Sequence, residues 1–245
     1  MDLNTIKAAI SNNPESVFGF LRDEDVGTRV AAFDAFRQMA ISKSANIGGF
    51  LADFVEVMRV EVIPNLADES EPEKRAALAK IAYDIGTLAN RLNNPATLLP
   101  LLQPLVKLLN HPYPKVRSAL ISGIGWLLRA NPGEITEELI NRLLRGFFED
   151  DAEVRAATVF AWGNIAQTNP DEAGEAVGPI YRLLGDEFDI VRAEAAGFFH
   201  SFAKHRAADC ALALPELRQL RDSDESSTVR ERASAAVQAI LAVSS

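Results

Sequence analysis

Cysteine is almost missing: Cys210 stands alone among 245 residues, which excludes an intramolecular disulfide framework and fits a reducing compartment. It lies in an Ala/Leu-rich run, the setting of a small buried apolar side chain. Histidine is nearly as scarce. His111, His200 and His205 form no HExxH pattern and none is followed by Glu, so no metal site is expected. There is no G-x-S-x-G and no Walker loop, and Gly123-x-Gly125 is followed by Leu128 where a dinucleotide fingerprint requires glycine. Small residues at 123 and 125 serve close helix packing instead. No catalytic residue and no cofactor is expected.

Positive charge is short as well. Thirty-four acidic residues face 25 basic ones, for a net charge of −9, and only 7 of the bases are Lys. Nucleic-acid binding draws most of its affinity from phosphate neutralisation by dense Lys and Arg, so a nucleic-acid partner is not expected. Long apolar runs are lacking too: Gln103 and Lys107 interrupt the richest one, and MDLNTIKAAISNNPESV holds no basic segment followed by an apolar block. These features lead to the expectation of a cytoplasmic protein with no membrane partner.

What the sequence has is a repeat. Arginines in one local context recur at Arg29, Arg75, Arg117, Arg155, Arg192 and Arg230, with gaps of 46, 42, 38, 37 and 38 residues. Self-similarity at this period marks a helical solenoid, each unit a pair of antiparallel helices that buries its apolar face against its neighbours. The expected organisation is all-α and a single domain over 1–245, in repeats of approximately 1–45, 46–92, 93–131, 132–169, 170–205 and 206–245. The predicted helices are 3–11, from Pro14 to 21, 26–43, 47–66, 72–91, one that begins at Pro95 with ATLLPLLQPLVKLL, a second that follows the turn His111-Pro112-Tyr113-Pro114 and runs to Ala130, then 134–148, 152–168, 171–184, 188–205, 207–221 and 226–243. Breaks fall at Ser44-Ala45-Asn46, Asn131-Pro132-Gly133, Thr168-Asn169-Pro170 and His205-Arg206. Pro100 and Pro104 predict a kink in the helix after Pro95, since each removes a backbone donor.

Six residues before the repeat arginine stands Asp23, Glu69, Glu149, Asp186 or Asp224, with His111 the exception. An acid there can cap the following helix and reach an arginine of its own or the adjacent repeat, which predicts a structural ladder.

Turn acid, Val-Arg and then small residues, as in HPYPKVRSALISGIGWLL, EDDAEVRAATVFAWGNIA and DEFDIVRAEAAGFFHSFA, resemble the HEAT repeat family over essentially the whole chain. Thr28 and Lys74 replace the valine in the first two repeats. The resemblance implies a right-handed α–α superhelix whose Val-Arg helices line the concave surface. Counting from the arginine, the seventh column reads Phe36, Ala82, Ile124, Trp162, Phe199, Val237 and is expected to be core. The fifth (Asp34, Lys80, Ser122, Phe160, Gly197, Ala235), ninth (Gln38, Asp84, Trp126, Asn164, Ser201, Ala239) and twelfth (Ile41, Thr87, Arg129, Gln167, Lys204, Ala242) share one face, expected to be solvated. Trp126 and Phe160 are large aromatics in otherwise polar or small columns.

Phe160 to Ala166 also resembles the inner-helix motif of armadillo repeats. That resemblance implies that Asn164 pairs with the backbone of an extended peptide while the aromatic four residues earlier walls side-chain pockets. Phe160 stands where tryptophan is usual, and one repeat carries the pair.

The reading that follows is a non-enzymatic scaffold that binds a protein or peptide partner on its concave face. Ser122, Trp126, Phe160, Asn164 and His200 would form the wall, and Arg129 and Lys204 would pair with acidic side chains of the partner. Two alternatives stay open. One is a spacer or assembly scaffold acting through its ends or convex face. The other is a DNA glycosylase of the HEAT-like alkylpurine type, to which Trp126, Asp150 and Asp151 are the available residues. HEAT-like deoxyhypusine hydroxylases need His-Glu pairs that the sequence lacks, and phycobilin lyases share nothing specific beyond the repeat.

Overall fold

The computed structural model describes residues 2–42, 48–68 and 70–243, and every regular element among them is helical. Two compact units divide the chain, Met1–Asn131 and Pro132–Ser245. The expected break at Ser44-Ala45-Asn46, the start of the helix at 47 and the turn acid Glu69 lie outside the described residues.

The first unit begins with α1 (Leu3–Asn12), α2 (Ser16–Leu21) and α3 (Val26–Ser42). Asp2 caps α1, its carboxylate accepting from the Asn4 and Thr5 backbone N–H groups at 3.0 Å, and Ile6 and Ile10, one turn apart, are buried. On α3, Phe36 stacks on Phe54 at 4.0 Å between centroids. Phe54 belongs to α4 (Leu51–Val57), which widens into a π turn (Met58–Val62) and closes as α5 (Ile63–Leu66). Pro64 explains the widening: it donates no hydrogen bond and its ring crowds the carbonyl four residues back. The unit is completed by α6 (Pro72–Ala89), α7 (Leu102–Lys107) and α8 (Pro114–Ala130), with α6 packed on both α3 and α8.

Between α6 and α8 the backbones meet through glycines. A Cβ built on Gly123 would fall on the Ala82 carbonyl group, 2.8 Å from its carbon, and one on Gly86 would lie 2.8 Å from the Gly123 Cα. The small residues at this crossing do the packing work expected of Gly123.

The second unit contains α9 (Glu137–Arg145), α10 (Ala152–Ile165), α11 (Pro170–Ala173), α12 (Val177–Leu183), α13 (Asp189–Arg206), α14 (Leu214–Ser223) and α15 (Ser227–Val243). Here α13 packs between α10 and α15 as α6 does between α3 and α8, and α12 and α14 lie behind α13 and α15. Thr136 and Asp151 cap α9 and α10 by accepting from the Leu139 and Val154 N–H groups. The seventh column is buried from Phe36 to Val237, with Trp162 at 0% exposure beside Phe147.

One expectation fails in detail. The helix holding Pro100 and Pro104 is not a kinked α-helix but a 3-10 run, Pro95–Leu101, that becomes α-helical at Leu102. Pro104 thereby falls in the first turn of α7, where an N–H has no intrahelical acceptor to lose. Pro179 in α12 and Pro215 in α14 occupy first turns in the same way, each after a 3-10 segment.

Arginines join successive repeats. Arg155 donates through Nη1 to the Glu149 and Asp150 carbonyls of its own turn, both at 2.8 Å. Its Nε and Nη2 fork onto the Asp186 carboxylate of the next turn, both at 2.9 Å. Arg192 repeats the pattern on the Asp186 and Glu187 carbonyls and on Asp224, at 2.8–3.1 Å. Asp186 and Asp224 also close their own turns by accepting from the Phe188 and Ser226 N–H groups. The expected ladder is therefore present between repeats of this unit, where Asp186 and Asp224 are each held by the preceding repeat's arginine. Such bidentate pairs are strong and directional. The neighbouring carboxylate raises the affinity of Arg155 and Arg192 for their protons, and the Arg192 fork holds Asp224 below the usual carboxylate range.

In the first unit the same position is solved differently. Arg29 donates to the Asp23 carbonyl and to the Asn65 side-chain oxygen, both at 2.6 Å. His111 replaces the acid, yet its Nδ1 accepts from the Tyr113 N–H at 3.3 Å and so closes the turn as the carboxylates do elsewhere. The guanidinium of Arg75 lies 3.9 Å from the Tyr113 ring centroid, a cation–π contact.

Candidate functional site

On α8 of the first unit, Ser122, Trp126 and Arg129 follow one another at spacings of four and three, which places them on one helical face. All three are half-buried. The Asn90 amide donates to the Trp126 carbonyl at 3.0 Å, and the Arg129 guanidinium sits 5.3 Å from the Trp126 ring centroid. Trp126 thus presents an aromatic surface with a cation beside it.

Elsewhere on this unit the same columns hold a charge cluster. Asp34 accepts from Arg37 at 2.7 Å and from Gln38 at 2.6 Å, Lys80 pairs with Asp84, and Arg37 Nε lies 3.8 Å from Asp84. Two acids and two bases compensate each other here, so the α3–α6 face is spoken for internally. A shallow depression of about 450 Å³ opens beside it, between Val26, Val30 and Ala77, with Asp25 and Glu73 at its rim. Asp25 is already engaged in accepting from the Thr28 N–H and hydroxyl.

The other four residues expected at a site, Phe160, Asn164, His200 and Lys204, belong to the second unit. Phe160 is half-buried on α10 and Lys204 is exposed in the last turn of α13. His200 stands on α13, half-buried, with Nδ1 donating to the Ala235 carbonyl at 3.2 Å. That bond fixes the ring over the α13–α15 junction.

The ninth column departs from expectation. Asn164 is 3% exposed and Asp84 is 8% exposed, so neither is a solvated wall residue. Asn164 directs its amide back to the Phe160 carbonyl at 3.0 Å. A polar side chain can leave solvent when it finds an acceptor one turn away, and here that contact braces the turn that carries the aromatic. At this burial Asn164 offers a passing peptide almost no surface.

The acids considered for base excision are also placed: Asp151 is the N-cap of α10 and Asp150 is exposed in the adjoining turn. Among the described residues no group of three or more His, Cys, Asp or Glu side chains is arranged to hold a metal ion, and no helix is long and apolar enough to cross a membrane. Burial pushes the Cys210 thiol up to about 12.

Sequence reading missed a further surface. Phe148 is 70% exposed, and Phe188 and Ile190 are each 46% exposed, all in or beside the turns between paired helices of the second unit. Bulky apolar residues next to turn acids were the available signal.

No family model matches the chain, and no curated protein matches it either. Solved structures do. The archaeal HEAT-like repeats protein from Thermococcus onnurineus NA1 is similar over 99% of this chain and 94% of its own, with a TM-score of 0.63 at 16% identity. A computationally designed armadillo repeat protein for modular peptide recognition is similar over 91% and 98%, with a TM-score of 0.56 at 21% identity. A second designed armadillo repeat protein, in complex with the peptide (KR)4, is similar over 92% and 98%, with a TM-score of 0.58 at 22% identity. The likeness shows the fold: an all-α repeat solenoid of the HEAT and armadillo kind.

Proposed function

We propose that the chain is a non-enzymatic protein-binding scaffold and that the faces of its second helices take a segment of a protein partner. The observation that carries this reading is the pair of half-exposed aromatics, Phe160 and Trp126, at positions where the other repeats place polar or small residues. Arg129 lies beside Trp126 on the first unit, and on the second Lys204 is exposed on α13, the helix that packs on the α10 carrying Phe160. Aromatics carry interface energy out of proportion to their number, typically about 2–4 kcal/mol each at a hot spot. Ser122 and His200 complete the two faces, and Asn164 acts beneath Phe160 by holding its turn. Support comes from the repeat fold shared with designed armadillo proteins, one of them built for peptide recognition and one carrying a peptide.

Affinity capture from native extract, with wild type beside the Trp126→Ala/Phe160→Ala double variant and mass-spectrometric readout, tests the reading. A protein captured by the wild type and lost from the variant is the expected result. Equal capture by both sinks the assignment to these faces.

A further inference from the structure

The net negative charge is not spread evenly. Residues 1–131 hold 14 acidic and 14 basic side chains, whereas 132–245 hold 20 acidic and 11 basic, so the second unit carries the whole excess of nine. Its acids gather in the turns between paired helices: Asp150 and Glu153 at the start of α10, Glu187 and Asp189 at the start of α13, all exposed. Among the described residues none of these four is in an ion pair.

The same turns display apolar side chains. Phe148 precedes the first turn, and Phe188 and Ile190 flank Asp189 in the second, with Phe148 the most exposed large hydrophobic residue among those described in the unit. Isolated exposed apolar residues need no explanation, but three in two adjoining turns form a feature.

Arg155 shows that the two turns adjoin. One guanidinium holds the Glu149 and Asp150 carbonyls on one side and the Asp186 carboxylate on the other, and it lies 5.8 Å from the Phe188 ring centroid. The hydrogen bonds of this arginine are committed to those carbonyls and to Asp186, and Glu187 feels its charge without pairing with it. What remains outward is carboxylate and phenyl on a surface already ordered before any partner arrives, which lowers the entropy lost on binding.

We infer that this turn edge of the second unit, built from Phe148, Phe188 and Ile190 and rimmed by Asp150, Glu153, Glu187 and Asp189, is a second docking surface for a basic segment of a partner protein in which Lys or Arg alternate with bulky apolar side chains. Charge complementarity selects the segment's sign, because four outward carboxylates repel an acidic partner and speed the approach of a basic one. The phenyl groups select its apolar content: burying them supplies affinity that carboxylates alone, screened in salt, do not. This surface is separate from the second-helix faces and does not depend on the reading given for them.

The test uses the full chain and a fluorescein-labelled peptide of Lys-Leu-Arg-Phe repeated three times, read by fluorescence anisotropy at physiological salt. A control peptide of Lys-Ser-Arg-Gly repeated three times has the same charge without the apolar side chains. The first peptide is expected to bind at least about tenfold more tightly than the control, and the Phe148→Ser/Phe188→Ser variant to lose about tenfold or more of that affinity. Asp150→Asn/Glu187→Gln should weaken binding and flatten its salt dependence, while Trp126→Ala/Phe160→Ala should leave it unchanged. These substitutions alter exposed side chains, and an unchanged circular dichroism spectrum checks that each variant is folded. The inference is overturned if the peptide does not bind, if the Phe148→Ser/Phe188→Ser variant binds as wild type, or if both peptides bind equally, which would mean charge attraction alone. It is also overturned if sedimentation shows that the wild type self-associates through this edge and the Phe148→Ser/Phe188→Ser variant does not, because the occupant is then a second copy. Loss of binding in the Trp126→Ala/Phe160→Ala variant instead of the edge variants would return the peptide to the second-helix faces.

Discussion

Replacing glycine by alanine inside a helix ordinarily stabilises it by about 1 kcal/mol, because alanine loses less backbone freedom and shields the backbone. At Gly123 the structure reverses the sign. The added methyl would lie 2.8 Å from the Ala82 carbonyl carbon, well inside the ordinary contact range of 3.4–4 Å. The obstacle is helix backbone, so relief requires α6 and α8 to separate. Overpacking of a tight contact costs about 1–3 kcal/mol. With a rigid carbonyl in the way the upper end applies, and subtracting the propensity gain leaves about 2 kcal/mol of net destabilisation. For a chain of this size that is a fall in Tm of about 4–8 °C. Gly163 supplies the contrast. It too is interior to a helix, α10, yet its added methyl would meet only the Phe198 Cα, at 4.0 Å. Gly163→Ala should therefore raise Tm by about 2–4 °C. Thermal melts of both variants followed by circular dichroism at 222 nm decide the matter. The argument is refuted by a Gly123→Ala protein that melts at or above wild type, or by a Gly163→Ala protein that melts below it.

Other expectations concern the arginine locks and the thiol. Asp224→Asn removes the charge from a fork whose carboxylate is 4% exposed, and should cost about 2 kcal/mol at pH 7 in urea titrations. Because the Arg192 fork depresses the Asp224 pKa, its stabilisation is present above the unfolded value of about 3.9 and fades as pH falls through the folded value. The gap between wild type and variant should thus narrow below about pH 4, and a gap that persists there argues against the fork as its source. Cys210, with its thiol pushed up to about 12 by burial, should react with a thiol-specific disulfide reagent at pH 8 far more slowly in native protein than in urea-unfolded protein. Prompt stoichiometric labelling of the native chain would contradict that placement.

Helix pairing and core were legible because both depend on periodicity. The arginine spacing located the second helices, and the seventh column, Phe36 to Val237, is buried as its uniform apolar content indicated. The first helices were legible as helices but not as 3-10 and π segments, since those depend on where a single proline falls relative to a turn: Pro64 inside a helix widens it, whereas Pro104 is absorbed in a first turn. Polar letters in the ninth column read as solvent. Asn164 and Asp84 are buried nonetheless, because the Phe160 carbonyl and the Lys80 ammonium satisfy them locally, and such pairing depends on rotamers that a residue pattern does not carry. The exposed phenyls at 148 and 188 went unread for the converse reason: apolar letters beside a turn look like the edge of a core.

The locks at Arg155 and Arg192 take their cation from one repeat and their anion from the one that follows. Such a joint has a plug end and a socket end, so a string of repeats carries an arrow, and any copied or deleted unit would still present the right half to each neighbour. A gene encoding such a protein can lengthen or shorten by whole repeats without having to invent a new junction. The joint made by Arg75, His111 and Tyr113 breaks that grammar: its arginine rests on a ring, and a repeat spliced in at that point would have to bring its own aromatic with it. A copied repeat would therefore meet matching halves along the second unit and a joint of another kind at the third repeat.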